Sequence, residues 1–257
     1  MEKEALLVVG YPKSGNTWLT RLVAELIECP VQGFFDEPEN PEMAIEGQER
    51  ISDYVVFKGH QPFHFIQGRI KHRNIIYVVR DVRDVAVSGA YYFNFPSTSE
   101  KTRDFFHFSL IKRFVDKRKK MLEKQAKIWG MIQVLDKGSN TMTRWCRVPW
   151  DIHVNEYVDQ NILIVRYEDL LANPVIQCKR ILAHLNLERT DKKINEAIHM
   201  QSFTIAKNRF LAQGDHKRAY FLRQGKSGGW EKHLTRKQKN FLKKRFYNML
   251  KFLKYTD

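Results

Sequence analysis

No stretch of this sequence approaches the roughly 20 consecutive apolar residues that a membrane-spanning helix requires. Its start, Met1-Glu2-Lys3-Glu4, lacks the basic-then-apolar build of a secretion signal. Cysteine is scarce: Cys29, Cys146 and Cys178 stand far apart and cannot all pair, which excludes a disulfide framework and a clustered thiolate metal site. Together these absences point to a reducing compartment, expected to be the cytoplasm. There is no internal repeat and no low-complexity segment. Acid is scarce too, with 29 Asp and Glu against 44 Lys and Arg and a net charge of +15. That excess is uneven. Residues 101–127 hold ten basic residues against three acids, and residues 231–257 hold nine against two. Neither stretch interleaves aromatics in a nucleic-acid module, and no helix-turn-helix or zinc-finger pattern occurs. Neither a nucleic-acid partner nor stable membrane association is therefore expected.

What is present is the alternation of short apolar strands with amphipathic helices that marks an α/β fold. The clearest strands are Leu6–Val9, Tyr54–Phe57, Ile75–Val79 and Ile162–Val165. Their unbroken apolar runs suit parallel strands covered on both faces. Helical spacing predicts helices over Thr17–Ile27, Phe105–Leu135, Pro174–Leu185 and Phe241–Leu253. Asn173-Pro174 reads as a cap followed by proline at the first helical position. At 257 residues the chain is expected to be one domain, 1–257, with a central parallel sheet flanked by helices. Residues 214–230, rich in glycine and basic side chains, read as a long functional loop.

The first strand runs into Gly10-Tyr11-Pro12-Lys13-Ser14-Gly15-Asn16-Thr17-Trp18 and then a helix. Strand, glycine-bounded turn and helix form a phosphate cradle, because main-chain N–H groups and the positive helix end face the anion. Nucleotide triphosphatases carry lysine directly after the second glycine. Here Asn16 stands there, and the lysine lies inside the loop as Lys13. Three later segments follow strands, where ligands of open α/β sheets bind. Residues 57–62 place His60 beside Lys58, a candidate base with a nearby cation. Residues 80–88 place Arg80 at a strand end and Ser88 in the next helix, a donor fork and a hydroxyl for one anion. Arg80, Asp81, Arg83 and Asp84 pairing among themselves is the plainer alternative. Tyr167 follows the last strand, positioned to meet a base or ribose. In the late loop Arg223 supplies charge among glycines that let the backbone approach a ligand.

Taken in this order, the segments resemble the cytosolic sulfotransferase family, which uses 3′-phosphoadenosine 5′-phosphosulfate (PAPS) and releases 3′,5′-ADP (PAP). The resemblance runs from residue 6 to residue 230, about nine tenths of the chain. Tyr11 to Trp18 resembles that family's 5′-phosphosulfate loop, and Lys58-Gly59-His60-Gln61-Pro62 its catalytic segment. Arg80 to Ser88 resembles its 3′-phosphate site, and Arg223-Gln224-Gly225 with Gly228 and Trp230 its closing loop. The resemblance implies His60 as the base that takes the acceptor's proton. It implies Lys13 as the cation at the bridging phosphate oxygen, and Lys58 as an assistant at the sulfonate or the acceptor. Ser14, Gly15, Asn16 and Thr17 would hold the 5′-phosphate. Trp18, Tyr167, Ser202 and Phe203 would meet the adenine, while Arg80, Ser88, Arg223 and Gly225 grip the 3′-phosphate. No metal is implied.

The chain departs from the family pattern at Asn16, where threonine is usual, at Gln224 for lysine and at Gln201 for threonine. The vertebrate dimer motif keeps only Thr235, so a monomer or weak dimer is expected. The acceptor is a small molecule read by variable segments. Residues 34–53 gather Asp36, Glu37, Glu39, Glu42, Glu46, Glu49 and Asp53 against a single Arg50. This points to a cationic acceptor, an amine- or guanidinium-bearing secondary metabolite, with a solvated acidic loop as the plainer alternative. Aromatics such as Phe34, Phe35, Phe93 and Trp150 offer a phenol or steroid pocket instead, or simply core. Two other functions stay open: an ATP-dependent small-molecule kinase, and a polyanion-binding protein that uses the basic helices.

Overall fold

Five short strands, rich in β-branched and aromatic residues, build one parallel sheet in the order β2-β3-β1-β4-β5. They are β1 (Glu4–Val9), β2 (Val31–Phe34), β3 (Tyr54–Gly59), β4 (Ile75–Val79) and β5 (Leu163–Arg166). The computed structural model describes residues 3–37, 43, 45–93, 95, 109–139, 145–212, 214 and 225–256. β1 lies centrally, with Glu4–Val9 opposite Tyr54–Gly59 of β3 and Leu7–Val9 opposite Ile75–Tyr77 of β4. Leu6 to Val9 and Ile75 to Val79 are all buried, as strands covered on both faces must be. The chain leaves β1 toward the β3 side and returns from β3 to the β4 side. The sheet therefore switches direction beside β1, the place where such folds bind ligands.

The fold is the expected α/β one, a central parallel sheet flanked by helices. Two compact units share the chain: residues 1–80 with 152–227, which contain the whole sheet, and residues 81–151 with 228–257. In the first unit α1 (Asn16–Leu26) packs on β3 and β1, and α8 (Asp191–Met200) packs on α1. Leu19, Leu22, Val23 and Leu26 are buried at i, i+3, i+4 and i+7, each contributing about 1.5–3 kcal/mol over an exposed position. α6 (Tyr167–Ala172) and α7 (Pro174–His184) follow β5, and α9 (Phe203–Ala212) follows α8. Short α2 (Phe63–Ile66) follows the His60 turn, and α5 (Trp150–Val158) precedes β5.

The second unit is helical. It holds α3 (Val82–Tyr92), α4 (Ser109–Lys137), α10 (Trp230–His233), α11 (Arg236–Arg245) and α12 (Tyr247–Phe252). Trp150 is fully buried there, edge-to-face with Phe246, and Phe95 is buried. The reading of Trp150 as core thus holds over the reading as pocket.

Three local expectations need correction. β2 was not expected, because Val31-Gln32-Gly33-Phe34 has no apolar run and shifts register against β3. The expected C-terminal helix Phe241–Leu253 is two helices, broken at Phe246, which is buried with φ −111° and ψ 19°. The first of the two begins earlier, at a capping box in which Thr235 accepts from Gln238 N–H and Gln238 accepts from Thr235 N–H. Pro174 does open α7, but the Asn173 side chain makes no capping bond. The three cysteines are buried thiols, none in a disulfide; burial pushes Cys29 up to about 12 and Cys178 to about 11.

Candidate active site

The loop after β1 is shaped by two positive φ angles. Pro12 precedes Lys13, whose φ is 72°, and Ser14 N–H donates to the Tyr11 carbonyl at 3.2 Å. This is a tight turn with proline second and a left-handed residue third, a place usually taken by glycine. Gly15 follows at φ 105° and forms the N-cap of α1, with no side chain capping it. The first N–H groups of α1 have no partner within the helix. Two glycines are required here by space. A Cβ on Gly10 would stand 2.3 Å from the Val78 carbonyl, and one on Gly15 would stand 2.6 Å from the Tyr167 ring. Ser14 Oγ is buried without a protein partner, as is Arg80 Nε. Orphaned donors at a bare helix N-terminus fit a bound phosphate.

His60 sits at the end of β3, next to this loop. Its Nδ1 lies 2.8 Å from the Gly10 carbonyl, which can only accept. Nδ1 therefore carries the proton, and Nε2 of the neutral ring keeps its lone pair. Burial holds His60 well below the ordinary imidazole range, and the Lys58 and Lys13 charges act in the same direction. Lys58 Nζ lies over the Phe34 ring, 4.5 Å from its centre. His60, Lys58 and Lys13 are thus brought together at one end of the sheet.

Asn16 differs from expectation. Its side chain is turned inward, where Nδ2 donates to the Gly10 carbonyl at 2.8 Å and the Gly59 carbonyl at 3.0 Å. It lies 3.2 Å from His60 Nδ1 and is 3% exposed. The Asn16 amide ties the loop to the His60 strand, which leaves its main-chain N–H, at the first position of α1, for a phosphate.

Arg80 follows β4 and Tyr167 follows β5. The Arg80 guanidinium lies 4.4 Å over the Tyr167 ring. Its Nη atoms donate to the Lys13 carbonyl at 3.3 Å and the Lys226 carbonyl at 3.0 Å. Arg80 thus bridges the first loop and the late loop. Asp81 pairs instead with Arg83 at 2.6 Å, and Asp84 accepts from Gly228 N–H and Trp230 N–H. The plainer pairing alternative holds for Asp81 and Arg83, not for Arg80. Trp18 stands edge-to-face with Tyr167 at 5.5 Å, and its Nε1 donates to the Gln201 carbonyl. That bond ties Trp18 to the residue preceding Ser202 and Phe203, and Gly225 packs against the Phe203 ring. Thr17 is half-buried at the start of α1. Ser88 is half-buried on α3 of the second unit. Arg223 lies outside the described residues.

Two acids of the acidic segment are paired within the protein. Asp36 pairs with Arg69 at 2.6 Å and accepts from Gln61 Nε2, while Glu46 pairs with Arg21 at 2.6 Å. Both carboxylates already have cations. Glu39 and Glu42 lie outside the described residues. Among the described residues no group of three or more His, Cys, Asp or Glu could hold a metal ion, and no helix is long and apolar enough to cross a membrane.

Residues essential to this geometry that the sequence left unmarked are His153, Tyr77 and Tyr157. His153 Nε2 lies 3.1 Å from the His60 carbonyl, and the Tyr157 hydroxyl donates to the Gln61 carbonyl at 2.7 Å. The only signal in the chain was a histidine and a tyrosine four residues apart in an otherwise apolar stripe.

The chain is similar to known sulfotransferases in sequence and in fold. Mouse sulfotransferase 1 family member D1 is 24% identical, over 96% of this chain and 85% of its own. Cytosolic sulfotransferase 7 of Arabidopsis thaliana is 23% identical, over 90% and 74%. A mouse sulfotransferase solved with PAP superimposes with a TM-score of 0.66 at 19% identity, covering 97% of this chain and 84% of its own. A retinol dehydratase solved with androsterone and PAP gives 0.64 at 19%, over 98% and 82%. Residues 3–254 match the family described as the sulfotransferase domain. The chain belongs to that family, and is a PAPS-dependent sulfotransferase.

Proposed function

We propose that the chain, as one sulfotransferase domain over 1–257, moves the sulfuryl group of PAPS to a hydroxyl or amine of a small molecule and releases PAP. The observation that carries this is the bond between His60 Nδ1–H and the Gly10 carbonyl. It joins the base to the phosphate loop and leaves Nε2 as the proton acceptor. PAPS supplies an activated sulfuryl group with a phosphate as its leaving group. His60 Nε2 takes the acceptor's proton as the acceptor's oxygen or nitrogen bonds to sulfur. Lys13 and the N–H groups at the start of α1 meet the negative charge left on the phosphate oxygen. Lys58 assists beside them. Positioning and electrostatics of this kind supply most of the rate in in-line group transfer.

Ser14, Gly15, Asn16 through its main chain, and Thr17 are assigned to the 5′-phosphate. Trp18, Tyr167, Ser202 and Phe203 are assigned to the adenine. Arg80 and Gly225 are assigned to the 3′-phosphate, with Ser88 and Arg223 on sequence pattern alone. A cytoplasmic monomer or weak dimer is the working form. A cationic acceptor would have to be met by acids of residues 34–53 other than Asp36 and Glu46, which are already paired with Arg69 and Arg21. The Phe34 ring, 5.8 Å from the His60 ring, is itself buried beneath Lys58, so the acceptor is assigned no further than a hydroxyl or amine of a small molecule.

His60→Ala tests the base. Transfer from labelled PAPS should be abolished across a panel of phenols, amines and sugars, while PAP affinity stays within about twofold. Turnover at the wild-type rate would sink the assignment.

A further inference from the structure

The turn that carries His60 is held from behind by a helix. His153 and Tyr157 stand four residues apart on α5, hence on one face of it. Each grips one of two consecutive carbonyls: His153 that of His60 at 3.1 Å, and Tyr157 that of Gln61 at 2.7 Å. A carbonyl only accepts, so His153 Nε2 must carry the proton. Its Nδ1 is then a lone pair, and the Tyr77 hydroxyl donates to it at 2.8 Å. Neutral imidazole is suited to this place, because it donates on one edge and accepts on the other.

The ring is fixed on its faces as well. Tyr157 stacks on it at 5.6 Å, Tyr77 tilts against it at 5.7 Å, and Tyr11 of the phosphate loop meets it edge-on at 5.5 Å. His153 is fully buried, and burial lowers it to about 4, so the neutral form persists through the neutral pH range. Gln61 completes the bracket, since its Oε1 accepts from the His60 N–H at 2.9 Å. The main chain of His60 is held at both its polar groups, and its ring is held by Gly10.

We propose that His153 and Tyr157 are positioning residues, which aim the His60 imidazole by clamping the carbonyls of residues 60 and 61. The proposal rests on His60 being the base. A reacting group displaced by about 1 Å loses roughly 100-fold in rate, and loss of the clamp frees the turn to pivot about its remaining bonds.

Four variants test it: His153→Phe, His153→Gln, Tyr157→Phe and His60→Ala. The acceptor is whichever of a panel of phenols, amines and sugars turns over fastest with wild-type protein. His153→Phe keeps a ring but removes both hydrogen bonds, and kcat should fall about 10- to 100-fold. PAP affinity by calorimetry should stay within twofold. His153→Gln can donate and accept again, and should recover most of the loss. Tyr157→Phe should lose severalfold in kcat, and decides the matter if His153→Phe does not fold. Full kcat in the variants that fold, or parallel loss of kcat and PAP affinity without rescue by glutamine, overturns the clamp. If either occurs while His60→Ala is inactive and still binds PAP, only the clamp fails. An active His60→Ala overturns the base assignment on which it rests.

Discussion

Lys13 holds a backbone conformation that suits glycine, and this separates its charge from its fold. Its φ is 72°, in the left-handed region, where a side chain costs about 1–2 kcal/mol. Glycine at the same place would relieve that strain but free the unfolded chain, a cost of about 0.4–1 kcal/mol. Lys13→Gly should therefore be more stable than Lys13→Ala by about 0.5–1 kcal/mol, against the usual order of the two residues. In a protein of this size that is roughly 1–4 °C in melting temperature. Both variants lack the ammonium, and both should lose about 100- to 1000-fold in sulfuryl transfer, as when a transition-state donor is removed. Calorimetry and turnover of labelled PAPS, run on both proteins, read the two effects separately. The reasoning is refuted if the alanine variant melts at or above the glycine variant. It is refuted equally if either keeps transfer within tenfold of wild type.

Arg80→Ala should weaken PAP binding about 10- to 150-fold, the worth of a charge-assisted contact of roughly 1.5–3 kcal/mol. It should affect ATP much less, and calorimetric titration with both nucleotides checks this. Stability should depend on pH through His60 and His153, both held below the usual imidazole value by burial. Above pH 6.5 neither is protonated in the folded or the unfolded chain, and their contribution is fully present. As pH falls below 6.5 the unfolded chain takes up protons that the folded chain refuses. Stability then drops by about 1.4 kcal/mol per pH unit for each histidine. For His153, lowered from 6.5 to about 4, the total is about 3 kcal/mol, reached near pH 4. Urea unfolding of wild type and His153→Phe at pH 7, 6 and 5 should show a slope shallower by about one proton in the variant. Equal slopes would remove His153 as the source.

Where local pattern and burial coincide, the fold was legible. Ile75–Val79 is a run of β-branched and aromatic residues in a fully covered strand, and its predicted bounds match β4. β2 escaped because Gly33 takes a φ of 86° in an edge strand of four residues, which leaves no period to read. The break at Phe246 escaped for the opposite reason. Its apolar period continues through the break, and only the burial of Phe246 against Trp150 ends one helix and starts another. In the site, His60 and Lys13 were legible because each sits in a turn with a chemical pattern. The clamp was not, because His153 lies 93 residues from His60 and its partner is a main-chain carbonyl, which leaves no side-chain trace in the sequence. In the acidic cluster the sequence shows charge density but not pairing. Arg69 and Arg21, from other parts of the chain, already sit on Asp36 and Glu46.

Asn16 explains why the loop's lysine is displaced. The position after the second glycine is 3% exposed, with the Gly10 and Gly59 carbonyls within 3.0 Å and the His60 ring 3.2 Å away. A lysine there would place a buried charge against the ring that must accept a proton, and would further disfavour its protonated form. A neutral amide satisfies both carbonyls and adds no charge. The cation the chemistry requires stands instead at Lys13, half-buried in the turn and outside the tie between Asn16, Gly10 and Gly59. One substitution of type at position 16 and one change of place to position 13 thus let a phosphate loop share a carbonyl with a base.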